Sequence, residues 1–339
     1  MLPTRDRLGR PLRDLRVSVT DRCNFRCRYC MPKETFGPGF HFLPRAEILS
    51  FEEITRVVEA AASVGVTKVR LTGGEPLLRR DLPTLVQMLA RVPGIDDLAL
   101  TTNGVLLARW AERLAAAGLG RVSVSLDSVD PEVFRLMNGM DHPIEPVLAG
   151  IAAADKAGLG PIKLNAVVRR GLNDHGILDL AEFARQHGYR LRLIEYMDVG
   201  ESHGWRMEEV VPSSELLELI GARWPLAPER ADNPSEVAQR YRYEDGCGTI
   251  GVISSVTQPF CGACSRLRLT ADGKLHTCLF SRLGHDLRPQ LRGGADRQAL
   301  IEQINGIWGD RVDRYSELRA SQTERAPAVG KPEMSYLGG

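Results

Sequence analysis

LRVSVTDRCNFRCRYC, residues 15–30, decides how the chain is read. Its opening run, 15–20, is short and rich in β-branched side chains, which predicts a strand. The cysteines follow at once as Cys23-x3-Cys27-x2-Cys30. A [4Fe–4S] cube has a thiolate position on each iron, and proteins usually fill all of them with Cys. Three ligands so close together, with no fourth nearby, leave one iron open to a small molecule. The spacing differs from both ferredoxin patterns and from a paired zinc knuckle. Three structural thiols or a lone zinc site is the weaker reading, because Tyr29 stands just before the third Cys in this spacing.

Outward from that loop, strand and helix patterns alternate. Strands are expected at 15–20, 68–71, 98–101, 121–126, 162–168 and 190–195. Ser50 with Glu53 forms a capping box for a helix to about Ser63, and Asp81 caps a helix to Leu89. An Ala/Leu helix stops near Gly118, and Asp130-Pro131 is a cap followed by a helix-starting proline. Asn173 or Asp174 caps a helix to about His187. Crossover helices between strands imply an α/β fold with a parallel sheet. Eight units would close a barrel, so six suggest a partial β/α barrel, with an open doubly wound sheet as the alternative. The polar and glycine-rich motifs fall at strand C-terminal ends, the functional rim of such barrels. After about Ser214 the alternation fades into a helix near 215–220, a Pro-containing stretch at 225–234, two hairpin-like strands and a helix around 298–308. The expected regions are 1–214 for the barrel, 215–319 for the extension and 320–339 for a tail whose last twenty residues lack a regular element.

The composition suits a large globular chain: 339 residues, 43% apolar and 26% charged. Lys+Arg of 44 against Asp+Glu of 43 argues against a general nucleic-acid or membrane-surface binder while permitting a local basic pocket. No run is long and apolar enough to span a bilayer, and the first residues lack the apolar core of a signal peptide, so a cytoplasmic location is expected. The seven cysteines, an odd number clustered at short spacings, favour metal ligation over disulfides.

Cys261-x2-Cys264 and Cys278 form a second trio. Zinc uses the same spacing, and His276 could complete a Cys3His site, so the motif alone leaves zinc and iron–sulfur open. Arg266-x-Arg268 beside it favours a cluster facing an anionic ligand, although a solvated hairpin face is the plain alternative. Asp272-Gly273 reads as the hairpin turn that returns Cys278 to the CxxC pair. Cys247 is expected to be a small buried thiol.

With both trios in view, the chain resembles the GTP 3′,8-cyclases of molybdenum-cofactor biosynthesis, which are radical S-adenosylmethionine (SAM) enzymes. The resemblance runs from Leu8-Gly9-Arg10-Pro11 and Asp14-Leu15-Arg16 through the first cysteines. It continues with Thr72-Gly73-Gly74-Glu75-Pro76, Thr101-Thr102-Asn103-Gly104, Ser125-Leu126-Asp127 and Glu195-Tyr196-Met197-Asp198, and ends at the second trio and Gly338-Gly339. It implies two [4Fe–4S] clusters, one on Cys23, Cys27 and Cys30 and one on Cys261, Cys264 and Cys278, with SAM on the first and GTP at the second. It also implies cleavage of SAM to a 5′-deoxyadenosyl radical, hydrogen removal from C3′ of GTP, and attack on C8 of the guanine.

Side-chain-free Gly73 and Gly74 let backbone approach the methionine end of SAM, and the Tyr29 face suits its adenine. The resemblance adds Ser125 and Met197 to the SAM site and Thr101 to the substrate site. Cations in barrel strands point to the lumen or to covering helices, and the lumen is the sensible choice for Arg16, Arg70 and Lys163. Arg266, Leu267 and Arg268 extend the same substrate pocket. Catalytic roles are implied for Arg16, Arg266, Arg268 and the tail residues Gly338 and Gly339, a frayed terminus being the default for any tail. Expected partners are an electron donor such as flavodoxin or ferredoxin, cyclic pyranopterin monophosphate synthase as the next enzyme, and a second copy in a homodimer, with no nucleic acid and no membrane. A two-cluster radical SAM peptide modifier and a zinc-stapled nucleotide-binding protein are the competing readings.

Overall fold

The short β-branched runs form β1 (Asp14–Ser18), β2 (Lys68–Thr72), β3 (Asp97–Thr102), β4 (Arg121–Ser125), β5 (Lys163–Val168) and β6 (Arg190–Glu195), paired in parallel in chain order. A computed structural model of the chain describes residues 3–230, 236–319 and 330–338. Parallel neighbours need crossovers. These are made by α1 (Phe51–Ser63), α2 (Leu82–Leu89), α3 (Leu107–Ala116), α4 (Pro131–Asn138), α5 (Glu145–Lys156) and α6 (Ile177–Gln186).

The caps behave unevenly. Ser50 and Glu53 complete the capping box, and Asp130 accepts from the Glu132 and Val133 N–H groups. Asp81 occupies the N-cap position of α2 but, at φ 59°, makes no side-chain cap. Where one helix is expected between β4 and β5 there are two. Gly139 ends α4 at φ 67°, and a Cβ there would lie 2.3 Å from the Arg26 carbonyl of the cysteine loop. Asn173 makes no side-chain cap, because its Oδ1 accepts from the Arg169 N–H at 2.9 Å while its Nδ2 donates to the Asp127 and Val167 carbonyls at 2.9 Å each.

Strand alternation divides the side chains between two faces. Leu15, Val17, Val69, Leu71, Leu98, Leu100, Val122, Val124, Leu164, Leu191 and Leu193 join the hydrophobic core with the helices. The opposite face carries the polar residues considered below.

The extension continues the same sheet. After α7 (Ser213–Arg223), β7 (Leu226–Glu229), β8 (Gln239–Tyr243) and β9 (Thr249–Ile253) follow, with β9 parallel to β6. On the other edge β10 (Arg266–Leu269) lies parallel to β1, with β11 (Lys274–His276) and β12 (His285–Asp286) antiparallel beyond it. Among the described residues the result is a twelve-stranded, mostly parallel sheet. Gly273, at φ 91°, makes the expected turn between β10 and β11. Next come α8 (Arg288–Arg292), α9 (Arg297–Gly309) and α10 (Tyr315–Arg319). Leu300, Ile304 and Trp308 of α9 are fully buried in the main core. The tail, expected to lack regular structure, contains the short α11 (Met334–Leu337). Cys247 is exposed in the turn between β8 and β9, with its N–H on the Asp245 carboxylate, so it is not the buried thiol expected. Among the described residues no helix is long and apolar enough to cross a membrane.

Candidate active site

The cysteine loop leaves the C-terminal end of β1 and is held against the loop after β2. The Gly74 N–H donates to the Thr20 carbonyl at 2.8 Å, and the Glu75 N–H to Arg22 at 2.8 Å. A Cβ on Gly73 would meet the Thr20 carbonyl oxygen at 2.4 Å, and one on Gly74 the Arg22 carbonyl oxygen at 2.2 Å. The glycine pair is therefore demanded by the close approach of the cysteine loop itself, a reason additional to room for a ligand. Buried Glu75 accepts from Leu77 N–H, Thr102 Oγ1 and Asn103 N–H, joining the ends of β2 and β3. Tyr29 is buried, and its hydroxyl donates to Asp127 Oδ2 at 2.9 Å.

Cys23, Cys27 and Cys30 line one large cavity over the strand ends. Burial, then the Glu75 carboxylate, pushes the Cys23 thiol up to about 12. Cys27 also rises far, through burial and then Asp127 and the neighbouring sulfurs, and Cys30 through burial and then Cys23, Glu333 and Asp127. Three buried thiols that resist ionisation together require positive charge from what they hold. Iron would supply it, with release of protons on loading. The donor set thus fits a cluster held by three thiolates.

The sheet face below is cationic. Arg16, Arg70, Arg192, Arg266 and Arg268, from β1, β2, β6 and β10, line the same cavity. Arg16 faces Arg70 on one side and Arg268 on the other in strand register. Burial and then Arg268, Arg266 and Arg70 push Arg16 well below the usual guanidinium range. Arg70 falls to about 10 through burial and then Arg121, Arg268 to about 10 through burial and then Arg266, and Arg192 to about 9 through burial and then Arg70. Such crowding is relieved by a bound polyanion. Arg70 also donates to Thr101 Oγ1 at 3.1 Å and Ser123 Oγ at 3.2 Å. Ser125 and Met197 line the cavity beside Asn165, whose buried Oδ1 has no partner among the described residues.

Two expected substrate residues are not part of that cavity's lining. Leu267 lies between Arg266 and Arg268, so alternation turns its side chain into the core on the opposite face, where it is fully buried. Lys163 shares the cationic face but lines a smaller cavity toward the strand N-termini with Arg190, Arg192 and Glu236. Burial, then Arg192, Arg121, Arg70 and Lys68, pushes it down to about 6.

The second trio lines the large cavity as well, through Cys261, Cys264 and Cys278. Burial raises Cys264, but Arg266 and Arg311 outweigh it and bring the thiol down to about 6. The Arg266 guanidinium lies 3.7 Å from Cys264 Sγ and over the Phe260 ring. His276 does not join the trio. Its Nδ1 meets Ser281 Oγ at 3.0 Å and its ring packs edge-on to Tyr336. Among the described residues no three His, Cys, Asp or Glu side chains converge to hold a single metal ion.

The tail returns to the cavity, which Met334 and Ser335 line. Glu333 accepts from the Glu201 and Ser202 N–H groups at 3.0 Å each, and the Tyr336 hydroxyl lies 2.8 and 2.9 Å from the Asp272 oxygens. The Gly338 carbonyl accepts from Arg268 at 3.0 Å, and a Cβ there would lie 2.4 Å from Thr72 Cγ2. Gly339 lies outside the described residues. Arg192, Arg311, Asn165 and Asp127 are cavity residues missed in the sequence reading. The signal for Arg192 was present, since Arg190-Leu191-Arg192-Leu193 repeats the alternation of Arg266-Leu267-Arg268-Leu269.

A parallel α/β sheet with a three-cysteine loop after β1 defines the class. The sequence profile of the Radical SAM superfamily matches residues 17–184, and that of Molybdenum Cofactor Synthesis C matches 189–317. Among solved structures, Streptococcus suis SuiB bound to S-adenosylmethionine aligns with a TM-score of 0.59 and 16% identity over 87% of this chain and 68% of that one, a likeness of fold alone. Curated relatives are much nearer. The chain is 56% identical to the GTP 3′,8-cyclase of Acidothermus cellulolyticus, over 99% of both chains. It is 52% identical to that of Xanthomonas campestris pv. campestris (strain B100), over 99% of this chain and 98% of the relative, and 44% identical to that of Staphylococcus saprophyticus, over 98% of both. The chain belongs to the GTP 3′,8-cyclase family.

Proposed function

We propose that the chain is a radical SAM enzyme converting GTP to (8S)-3′,8-cyclo-7,8-dihydroguanosine 5′-triphosphate, the first step of molybdenum cofactor biosynthesis. The observation that carries this reading is a single cavity with a cysteine trio at each side and a floor of buried arginines between them. When bound, SAM and the first cluster supply the 5′-deoxyadenosyl radical that takes hydrogen from C3′ of GTP. Cys23, Cys27 and Cys30 hold that cluster, and Gly74, Ser125, Met197 and Tyr29 surround SAM. Arg16, Arg70, Arg266 and Arg268 grip the triphosphate, with Thr101 adding a hydroxyl contact. Hydrogen bonds to charged groups contribute about 1.5–3 kcal/mol each, so several arginines fix GTP firmly. Holding reacting atoms in near-attack geometry can supply about 7–11 kcal/mol.

Cys261, Cys264 and Cys278 would hold a second iron–sulfur cluster, which would bind the guanine of GTP. The arginines beside these thiols support that reading over zinc. The sheet is read as a six-unit partial barrel over 1–214, extended by 215–319. Gly338 closes the cavity over the substrate, and its carbonyl contact with Arg268 supports this role. The peptide-modifier alternative is not favoured, because it gives the buried arginines no task. Iron and sulfide analysis of anaerobic protein, with 5′-deoxyadenosine followed with and without GTP, tests the proposal. Colourless, iron-free protein, or 5′-deoxyadenosine formed equally without GTP, would refute it.

A further inference from the structure

Leu8-Gly9-Arg10-Pro11 supplies no side chain to the cavity, yet Arg10 is among the largest fully buried side chains of the chain. A buried guanidinium must be paired. Arg10 Nε donates to Asp6 Oδ2 at 2.5 Å, both side chains being almost wholly buried. Asp6 Oδ1 accepts from the Leu8 and Arg10 N–H groups at 2.9 Å each. Arg311, from the segment after α9, places Nη1 3.5 Å from Asp6 Oδ2 and stacks over Trp308, whose Nε1 donates to the Arg10 carbonyl at 3.1 Å.

The two guanidinium groups then reach the second cysteine trio. Arg10 Nη1 donates to the Cys261 carbonyl at 2.9 Å and the Asp313 carbonyl at 2.7 Å, and Arg311 Nη1 donates to the Cys264 carbonyl at 2.7 Å. The Asp313 carboxylate accepts from Thr277 Oγ1 at 2.6 Å, the residue before Cys278. Both halves of the trio are thus fastened to one ionic centre. Buried ion pairs add little net stability compared with apolar packing of the same volume. What this one adds is direction, because planar forks aim donors at the carbonyls of the cysteine residues themselves.

We propose that Asp6, Arg10 and Arg311 are positioning residues for the second iron–sulfur group, setting the separation of Cys261 and Cys264 from Cys278. Among the described residues, the hydrogen bonds of this triad reach the second trio and not the first. The inference rests on the reading that the second trio holds a cluster. Groups outside the ligands commonly fix the geometry and tune the potential of an iron–sulfur site.

The test uses the full chain, reconstituted anaerobically, as wild type, Arg10→Lys and Asp6→Asn. Arg10→Lys keeps the charge and loses the fork; Asp6→Asn keeps the shape and loses the charge that gathers both arginines. Iron and sulfide per chain are measured, with electron paramagnetic resonance of the reduced protein before and after SAM. The expected result is loss of up to half of the iron, or a second-group signal with altered g-values and shifted midpoint potential. The first-group signal and its response to SAM persist, which also shows that the variants fold. Both variants keeping full iron and an unchanged second-group signal would overturn the proposal. So would equal loss of both groups together with the far-ultraviolet circular dichroism. Wild type carrying iron for one group only would overturn the two-cluster reading before any substitution is made.

Discussion

Gly74 and Lys163 show how single residues act. Adding a methyl at Gly74 drives it into the Arg22 carbonyl at 2.2 Å, and overpacking of this kind costs about 1–3 kcal/mol. Gly74→Ala is expected to lower iron on the first trio while sparing the second, as read by iron per chain and the SAM-responsive signal. Lys163 is pushed down to about 6 by burial and then by the surrounding cations. A triphosphate brought to this face raises that pKa, so binding takes up a proton. GTP affinity should therefore fall as pH rises from about 6 toward the higher pKa of the complex. Calorimetry in buffers of different ionisation enthalpy should detect proton uptake in wild type and less in Lys163→Met. No difference between them would separate Lys163 from the phosphate site.

Strands were the most legible elements, because β1 to β6 alternate core-facing and cavity-facing residues in a way the sequence displays directly. Arg16 and Arg70 could be placed on the inner face for that reason, and the same rule applied to Leu267 would have sent it outward. Helix ends were less legible where tertiary contacts decide. Gly139 splits a helix against Arg26, and Asn173 gives its side-chain oxygen to the Arg169 N–H instead of a helix. The anchoring of α11 was hidden, since Glu333 and Tyr336 find their partners in loops far away in sequence. Tyr336→Phe removes the single hydrogen bond its hydroxyl proton gives the Asp272 carboxylate, about 1.5–3 kcal/mol. If the tail closes the site, about tenfold or more of cyclisation should be lost while GTP-dependent 5′-deoxyadenosine formation falls far less. Equal loss of both would mean that α11 serves binding or folding.

At the scale of the molecule, the extension completes the sheet on both edges, with β9 beside β6 and β10 beside β1. That arrangement brings Arg266 and Arg268 next to Arg16 and sets both cysteine trios around one cavity. Motif spacing named both trios, but their common cavity depends on strand order, which no local pattern encodes. Deleting Gly338 and Gly339 should abolish cyclisation and leave both clusters and SAM cleavage, measured by iron content, 5′-deoxyadenosine and product. The most direct measurement is isotope transfer with GTP deuterated at C3′, anaerobic protein, SAM and a reductant. Deuterium recovered in 5′-deoxyadenosine, with the cyclised nucleotide formed alongside, is the predicted result. 5′-Deoxyadenosine free of deuterium would contradict hydrogen abstraction from the bound GTP ribose.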